Sequence, residues 1–332
     1  MHKNLIEQAS ESLRKSISEK AEAALFEDKR YKTVQFDEKN FHSIADAKDS
    51  VQIAFVDGGN IEILRSAGFS LQFVRLFWSC YEGKQRVNAE RVEFYLACHT
   101  MIEDDKLYYE TEIIAEQEWL QELRIKVDAY NPSLKQGMHR ADISSMANVV
   151  RRFGELLMGV RAAAHSDIVV LDGDLEATYP GEERLLERLY ATGKLIAGLS
   201  KTSTLLSTSG QSFSASLARQ GKWYYYPVAE VNGAEVLFAK LHEKSQYIFK
   251  IEIYKNQKGR ILELVSGLAG HATDPIFLGY PYGLIEAHRF AKVPAAEKDF
   301  HKIQLMAKLG EKWKDVEQHL RSVDGHELLD RI

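Results

Sequence analysis

The chain has 332 residues, of which 45% are hydrophobic and 27% charged, and its six prolines argue against long disordered linkers. A chain of this length and composition can bury a large core, as one large domain or two small ones. The net charge of -5 does not indicate a nucleic-acid-binding protein, so any DNA-binding surface would have to be a local patch.

The first half of the chain predicts a helix followed by consecutive strands. Helical spacing covers residues 3–26, and a polar, weakly patterned stretch continues to about residue 49. Apolar runs separated by short turns then indicate an antiparallel meander. The predicted strands are 51–57, which Gly58 and Gly59 would close, and then 69–80, 91–99 and 106–114.

The second half alternates helices with strands. Helices are predicted at 115–128 and, on a clear apolar stripe, at 142–165. A continuous apolar run predicts a strand that is buried on both faces at 168–175. The remaining predictions are a helix at 181–192, strands at 194–200, 223–229, 235–241, 246–254 and 261–266, and helices at 282–292 and 297–321.

This order of elements fits an α/β fold of the RNase H-like class. Such a fold has a mixed sheet with flanking helices, and residues 202–275 would add a β-rich elaboration. Because no repeat and no clear boundary interrupts the chain, we predict one domain over residues 1–332. Its core would span about 50–300, with the N-terminal helix 3–26 before it and the C-terminal helix 297–321 at its end.

Several features predict a cytoplasmic protein without a membrane segment. No apolar run approaches the roughly 18 to 20 residues of a membrane-spanning helix. The N-terminus lacks the apolar stretch of a secretory signal. Cys80 and Cys98 lie in strand-like apolar runs, which favours buried thiols over a disulfide or a zinc site.

Two aspartates stand at the ends of predicted core strands, each directly before glycine. Asp57 ends the first strand and Asp172 ends the strand in LDGDL. Carboxylates at the tips of adjacent strands repel each other unless a proton or a cation lies between them, and Mg²⁺ or Mn²⁺ prefers such oxygen ligands. The alternative interpretation is that each aspartate only forms a turn before glycine.

Three further residues are candidates for the same site. Glu155 lies on the 142–165 helix, where its carboxylate would either face the sheet edge or pair with Arg151 or Arg152. Lys201 follows the 194–200 strand and would hold a phosphate or orient a water, or else remain a surface lysine. His288 lies on the 282–292 helix, where a single histidine is usually structural.

Five short motifs follow one another along the chain. They are FVDGG at 55–59, VVLDGDL at 169–175, IAGLSKTS at 196–203, GYPYGLIEAHRFAKV at 279–293 and the C-terminal HELLD at 326–330. This series resembles that of the NurA nuclease family. Each motif alone is common, but their succession in this order is specific. The resemblance covers about residues 50–330.

The resemblance implies a homodimeric DNA nuclease that depends on Mn²⁺ or Mg²⁺. It implies 5′-to-3′ exonuclease and single-strand endonuclease activities on single- and double-stranded DNA ends. The implied setting is DNA end resection during double-strand break repair, with a HerA-type hexameric ATPase as partner. By position, Asp57, Glu155, Asp172 and His288 would be metal ligands in a two-metal-ion mechanism, and Lys201 would stabilise the phosphorane.

Two other classes of protein stay open. An actin-like or sugar-kinase-like ATPase has a related fold and also places Asp-Gly turns at strand ends, but it would require two glycine-rich phosphate loops. A non-catalytic scaffold would use the helices at 3–26 and 297–321 to bind partners. ATP binding without DNA cleavage would favour the first class, and intact partner binding without any cleavage would favour the second.

Overall fold

The structure is a computed structural model that describes residues 2–17, 25–45, 51–135 and 137–320. The helices are α1 (His2–Ile17), α2 (Met146–Ala163), α3 (Glu182–Tyr190), α4 (Phe213–Ser216), α5 (Ile261–Gly270), α6 (Tyr282–Ala291), α7 (Ala295–Leu309) and α8 (Trp313–Leu320). The strands are β1 (Lys32–Thr33), β2 (Phe41–Ser43), β3 (Gln52–Ser66), β4 (Phe69–Glu82), β5 (Gln85–Glu103), β6 (Lys106–Ile114), β7 (Lys126–Asp128), β8 (Ile168–Asp172), β9 (Leu195–Ser200), β10 (Trp223–Val231), β11 (Ala234–Lys240) and β12 (Phe249–Tyr254).

The chain forms two compact units of interleaved segments. The first unit contains residues 1–51, 172–176 and 195–282. In it, β10, β11, β12 and β9 pair in this order and antiparallel, while β1 and β2 pair with different parts of β10. Its core is rich in aromatic side chains, among them Phe213, Trp223, Tyr225 and Phe238.

The second unit contains residues 52–171, 177–194 and 283–332. Here β3 to β7 form an antiparallel meander, and β8 adds to β3 in the parallel sense. Helix α2 packs on β3 and β4, where Gly154 lets the helix backbone approach Leu76. The apolar stripe predicted for this helix is buried, as Val150, Phe153 and Leu157 show. The prediction of a mixed α/β sheet with flanking helices is confirmed.

The predicted meander is confirmed, but the first strand does not end at its two glycines. Strand β3 continues through Gly58 and Gly59 to Ser66 because β4 pairs with it along this whole length. Glycine weakens a strand by itself, yet it is tolerated where another backbone or side chain comes close. Both glycines have such neighbours, as the candidate site shows below.

Two other predicted elements are wrong in type. The helix expected at 115–128 is a 3₁₀ turn at Glu118–Leu123 followed by β7, which the pairing with β6 makes extended. The strand expected at 261–266 is instead helix α5, whose apolar residues are buried. A short apolar run does not distinguish a buried helix from a buried strand.

The terminal helices also differ from the prediction. Helix α1 ends at Ile17, residues 18–24 lie outside the described part, and Leu25 forms a bridge with Ser207 in place of helix. The helix expected at 297–321 is divided at Gly310, whose φ of 55° is unfavourable for other residues. The HELLD motif lies outside the described residues. The single domain over 1–332 remains a prediction.

Both cysteines are free and buried. Burial raises the pKa of the Cys98 thiol to about 12 and that of Cys80 to about 11, so both are thiols at neutral pH.

Among the described helices, none combines the length and the apolar character needed to cross a membrane.

Candidate metal centre

Strand pairing places two aspartates at the same level. Strand β8 runs parallel to β3 with Leu171 opposite Val56. The next residue in each strand is an aspartate. Asp172 directly follows Leu171 as the last residue of β8, so it lies beside Asp57. A carboxylate oxygen of Asp57, one of Asp172 and a ring nitrogen of His288 all lie within 4.8 Å of one another.

Helix α6 brings His288 to this point because two glycines let the helix lie directly on β3. Side chains alternate along a strand, so Phe55, Asp57 and Gly59 share one face. A Cβ at Gly59 would stand 2.3 Å from the carbonyl oxygen of Ala291 in α6, and a Cβ at Gly283 would stand 2.0 Å from the Phe55 ring. Larger side chains at either glycine would lift α6 away from Asp57.

The contact between His288 and Asp57 is direct. Nδ1 of His288 lies 2.9 Å from Oδ2 of Asp57, although the two residues are 231 positions apart in the sequence. A carboxylate oxygen accepts hydrogen bonds, so a hydrogen on Nδ1 would be donated to Asp57. The Asp57 side chain is 7% exposed and the His288 side chain 57%, so the histidine faces solvent while the aspartate belongs to the sheet.

The carboxylate of Asp172 has two more polar partners in the first unit. Nζ of Lys201 lies 2.5 Å from Asp172 Oδ2, and the Tyr280 hydroxyl donates to Oδ1 at 3.4 Å. Tyr280 is buried against the rings of Phe249 and Phe277, which fix its orientation. Lys201 therefore balances the charge of Asp172, a pairing that was not predicted from the sequence.

Glu155 is not part of the three-residue group. Its Oε1 accepts a hydrogen bond from Arg151 Nη1 at 2.5 Å, so the pairing that was the alternative interpretation is present. The Glu155 charge is the main reason that the pKa of Arg151 is raised, although burial opposes it. The Arg151–Glu155 ion pair packs against Gly58, which has no side chain. A Cβ at Gly58 would stand 2.8 Å from Glu155 Oε1.

Two residues that contact the candidates were not among the predicted site residues, although Arg151 was named as a possible partner of Glu155. Tyr280 lies in the GYPYG part of a motif, but nothing in its spacing separates it from a core tyrosine. Arg151 carried the clearer signal, because a residue four positions before Glu155 on a helix lies on the same face. Arg151 is tied to this part of β3 by its hydrogen bond to the Gly58 carbonyl at 3.4 Å and by its Cγ, which lies close to Gly58.

The donor set of Asp57, Asp172 and His288 fits a divalent cation. Two carboxylates supply oxygen ligands and negative charge, as Mg²⁺ and Mn²⁺ require. The imidazole nitrogen moves the preference toward a transition-metal ion such as Mn²⁺.

Comparison with known families finds one match along most of the chain. The model of the NurA domain matches residues 51–293, a range that holds all five candidate residues. A comparison with curated proteins finds no match.

Solved structures with a similar fold include the NurA nuclease from Sulfolobus solfataricus. It is 13% identical, with a TM-score of 0.53 over 93% of this chain and 95% of that one. This similarity confirms the RNase H-like class of the fold. The catalytic domain of human endonuclease V is 11% identical, with a TM-score of 0.39 over 80% of this chain and 92% of that one. A Ciona intestinalis endonuclease V in complex with inosine-containing DNA is 11% identical, with a TM-score of 0.38 over 78% and 92% of the two chains.

Proposed function

Since the chain belongs to the NurA domain family, we propose that it is a DNA nuclease whose divalent cation is held by Asp57, Asp172 and His288. The observation that carries this proposal is the convergence of two carboxylates and an imidazole within 4.8 Å. A buried carboxylate and a half-buried one at such short range are unfavourable without positive charge between them. Two carboxylates beside a lysine also suit hydrolysis of a phosphodiester, whose charge must be neutralised in the transition state.

The bound cation would stabilise the charge on the scissile phosphate and lower the pKa of a water. In this proposal Asp57 and Asp172 bind the ion from neighbouring strands, and His288 binds it from the solvent side. Tyr280 orients the Asp172 carboxylate. Lys201 would contact a phosphate oxygen with its ammonium group, since the cation would replace it as the partner of Asp172.

A mechanism with two metal ions needs more ligands than these three residues supply. Glu155 is the candidate for that role because it resembles the family's acidic ligand on this helix, although its carboxylate lies against Gly58 on the face of β3 opposite to Asp57. Arg151 would have to exchange this carboxylate for the phosphate backbone of DNA. We therefore include Glu155 as a ligand of a second ion in the proposal.

Membership in the family supports several finer proposals. We propose Mn²⁺ as the preferred ion, because a nitrogen ligand accompanies the carboxylates. We further propose 5′-to-3′ exonuclease and single-strand endonuclease activities in DNA end resection, a homodimer, a cytoplasmic location and a HerA-type hexameric ATPase as partner. A motor that holds the DNA would also compensate for the net charge of -5, which repels DNA.

The direct test is digestion of end-labelled single- and double-stranded DNA by the purified full chain. We expect cleavage in Mn²⁺, with weaker or no cleavage in Mg²⁺ and none in EDTA. Added HerA-type ATPase should increase the cleavage of double-stranded ends. Metal-independent cleavage would contradict the proposed centre. ATP hydrolysis without cleavage, under all these conditions and with the partner present, would favour the actin-like or sugar-kinase-like alternative.

Substitution of Lys201 tests its separate role. In Lys201→Ala we expect turnover to fall about 100-fold, as for the loss of one group that stabilises transition-state charge. The Kd for Mn²⁺ should stay near the wild-type value or fall, because the ammonium group competes with the cation for Asp172 instead of holding it. Single-turnover cleavage and calorimetric titration with Mn²⁺ measure the two quantities.

Lys244→Ala serves as the matched control, since Lys244 is an exposed lysine of the same unit. It should cleave like the wild type. Equal losses of turnover and Mn²⁺ affinity in Lys201→Ala would contradict the assigned role.

A further inference from the structure

The segment that follows Asp172 is held tightly on the first unit. Gly173 donates its N–H to the carbonyl oxygen of Leu199 at 3.0 Å. Gly198 allows the backbones to touch, since a Cβ there would stand 2.7 Å from the Gly173 carbonyl oxygen. Residues 172–176 therefore lie directly against β9, and the direction in which Asp172 leaves β8 depends on this contact.

A buried carboxylate fixes the same segment from β12. Glu252 has no solvent exposure, and its Oε2 accepts the N–H of Leu175 at 2.7 Å. Its Oε1 lies 2.7 Å from Nζ of Lys250, whose side chain is 7% exposed. A buried ion pair is a poor source of stability, because the loss of hydration often exceeds the attraction between the charges. The position of this pair indicates another role.

The far end of the segment belongs to the same network. Nζ of Lys250 also lies 3.8 Å from Oε1 of Glu176, and the hydroxyl of Tyr31 donates to that oxygen. Burial lowers the pKa of Lys250, but the charges of Glu252, Asp174 and Glu176 outweigh it and the pKa is raised. Lys250 thus stays charged, and it links carboxylates on β12 and on the segment.

We propose that the network of Tyr31, Glu176, Lys250 and Glu252 positions Asp172 for metal binding. The four residues anchor the far end of a short segment whose first residue is the ligand, while the carbonyl oxygen of Leu199 holds Gly173 at its near end. They are positioning residues and do not themselves contact the ion or DNA. This inference rests on the proposed function, because it takes Asp172 to be a ligand.

The experiment compares Glu252→Ala and Glu252→Gln in the full chain, with Mn²⁺ alone as the probe. Loss of a group that orients a metal ligand typically weakens metal binding about 10- to 100-fold, and we expect an increase of this size in the Kd of Glu252→Ala. Its amides at 173–176 should exchange with solvent faster than those of the wild type. Glu252→Gln keeps an oxygen for the Leu175 N–H. It should therefore restore most of the affinity for Mn²⁺ and most of the protection of these amides from exchange.

Glu235→Ala is the matched control. Glu235 is a largely buried carboxylate on the neighbouring strand β11, with its ion-pair partner at Lys258 instead of the 172–176 segment. This variant should lose some stability but keep the wild-type Kd for Mn²⁺. If Glu252→Ala shows only a lower Tm, with unchanged Kd and unchanged amide exchange, the inference is overturned.

The design separates failure of this inference from failure of the proposed function. If the wild-type chain binds no Mn²⁺, the proposed function is rejected, and amide exchange alone then decides whether Glu252 anchors the segment. Faster exchange at 173–176 in Glu252→Ala would support the anchor, and unchanged exchange would exclude it. Faster exchange with a wild-type Kd for Mn²⁺ would show that the anchor does not position the ligand.

Discussion

Asp57→Ala should abolish Mn²⁺-dependent DNA cleavage while the protein stays folded. Asp57 is the residue that touches His288 and stands beside Asp172, so its loss removes the centre of the proposed ligand set. A bound cation contributes several kcal/mol of transition-state stabilisation, and its loss should lower the rate about 1,000-fold or more. Cleavage of end-labelled DNA in excess Mn²⁺ measures the effect.

The stability of the same variant gives a second expected result. Two neighbouring carboxylates repel each other in the absence of a cation. Removing one of them should leave the Tm of the metal-free protein unchanged or raise it, although the short hydrogen bond from the Gly58 N–H is lost. Added Mn²⁺ should raise the Tm of the wild type and not that of Asp57→Ala, because a ligand that binds only the folded state stabilises it.

Asp167→Ala provides the control for both measurements. Asp167 precedes β8 and accepts the N–H of Gln52 at 3.1 Å, so it lies at the opposite end of the same strand pair. This variant should cleave DNA and respond to Mn²⁺ like the wild type. Full cleavage activity in purified Asp57→Ala would reject the site, whereas a non-catalytic scaffold would show no cleavage in the wild type either.

Gly59→Ala should destabilise the protein and impair cleavage together. The added Cβ would stand 2.3 Å from the carbonyl oxygen of Ala291, a backbone atom that cannot move without α6. Overpacking of this kind typically costs about 1–3 kcal/mol. Because α6 carries His288, its displacement should also weaken Mn²⁺ binding. Denaturant unfolding and calorimetric titration measure the two effects.

The sign of the stability change makes this prediction specific. At positions with compatible backbone and free space, Gly→Ala stabilises a protein by about 0.4–1 kcal/mol, because the unfolded chain loses freedom. Gly259 is such a position, since a Cβ there meets no atom within 4 Å. Gly259→Ala should therefore be neutral or stabilising. If Gly59→Ala behaves in the same way, α6 does not lie on β3 as described.

Local pattern predicted much of the fold in the second unit. The meander β3–β6, helix α2 and the buried strand β8 all follow from periodicity and turn residues, which act over a few neighbours. The same patterns gave the wrong element at α5, where only the length of a short apolar run separates a helix from a strand. They also ended β3 too early, because pairing with β4 outweighs the low strand propensity of Gly58. For those elements the partner strand or the burial decides the conformation.

The sequence by itself determined which residues could serve chemistry, because Asp57 and Asp172 directly follow apolar strands and precede glycine. Only the tertiary structure decided which of them meet. It joined His288 to Asp57 across 231 positions, left Glu155 with Arg151, and gave Asp172 the partners Lys201 and Tyr280. The physical reason is that a periodic pattern fixes only the face on which a side chain lies. What that face contacts is fixed by the close approach of α6 to β3, which Gly59 and Gly283 allow.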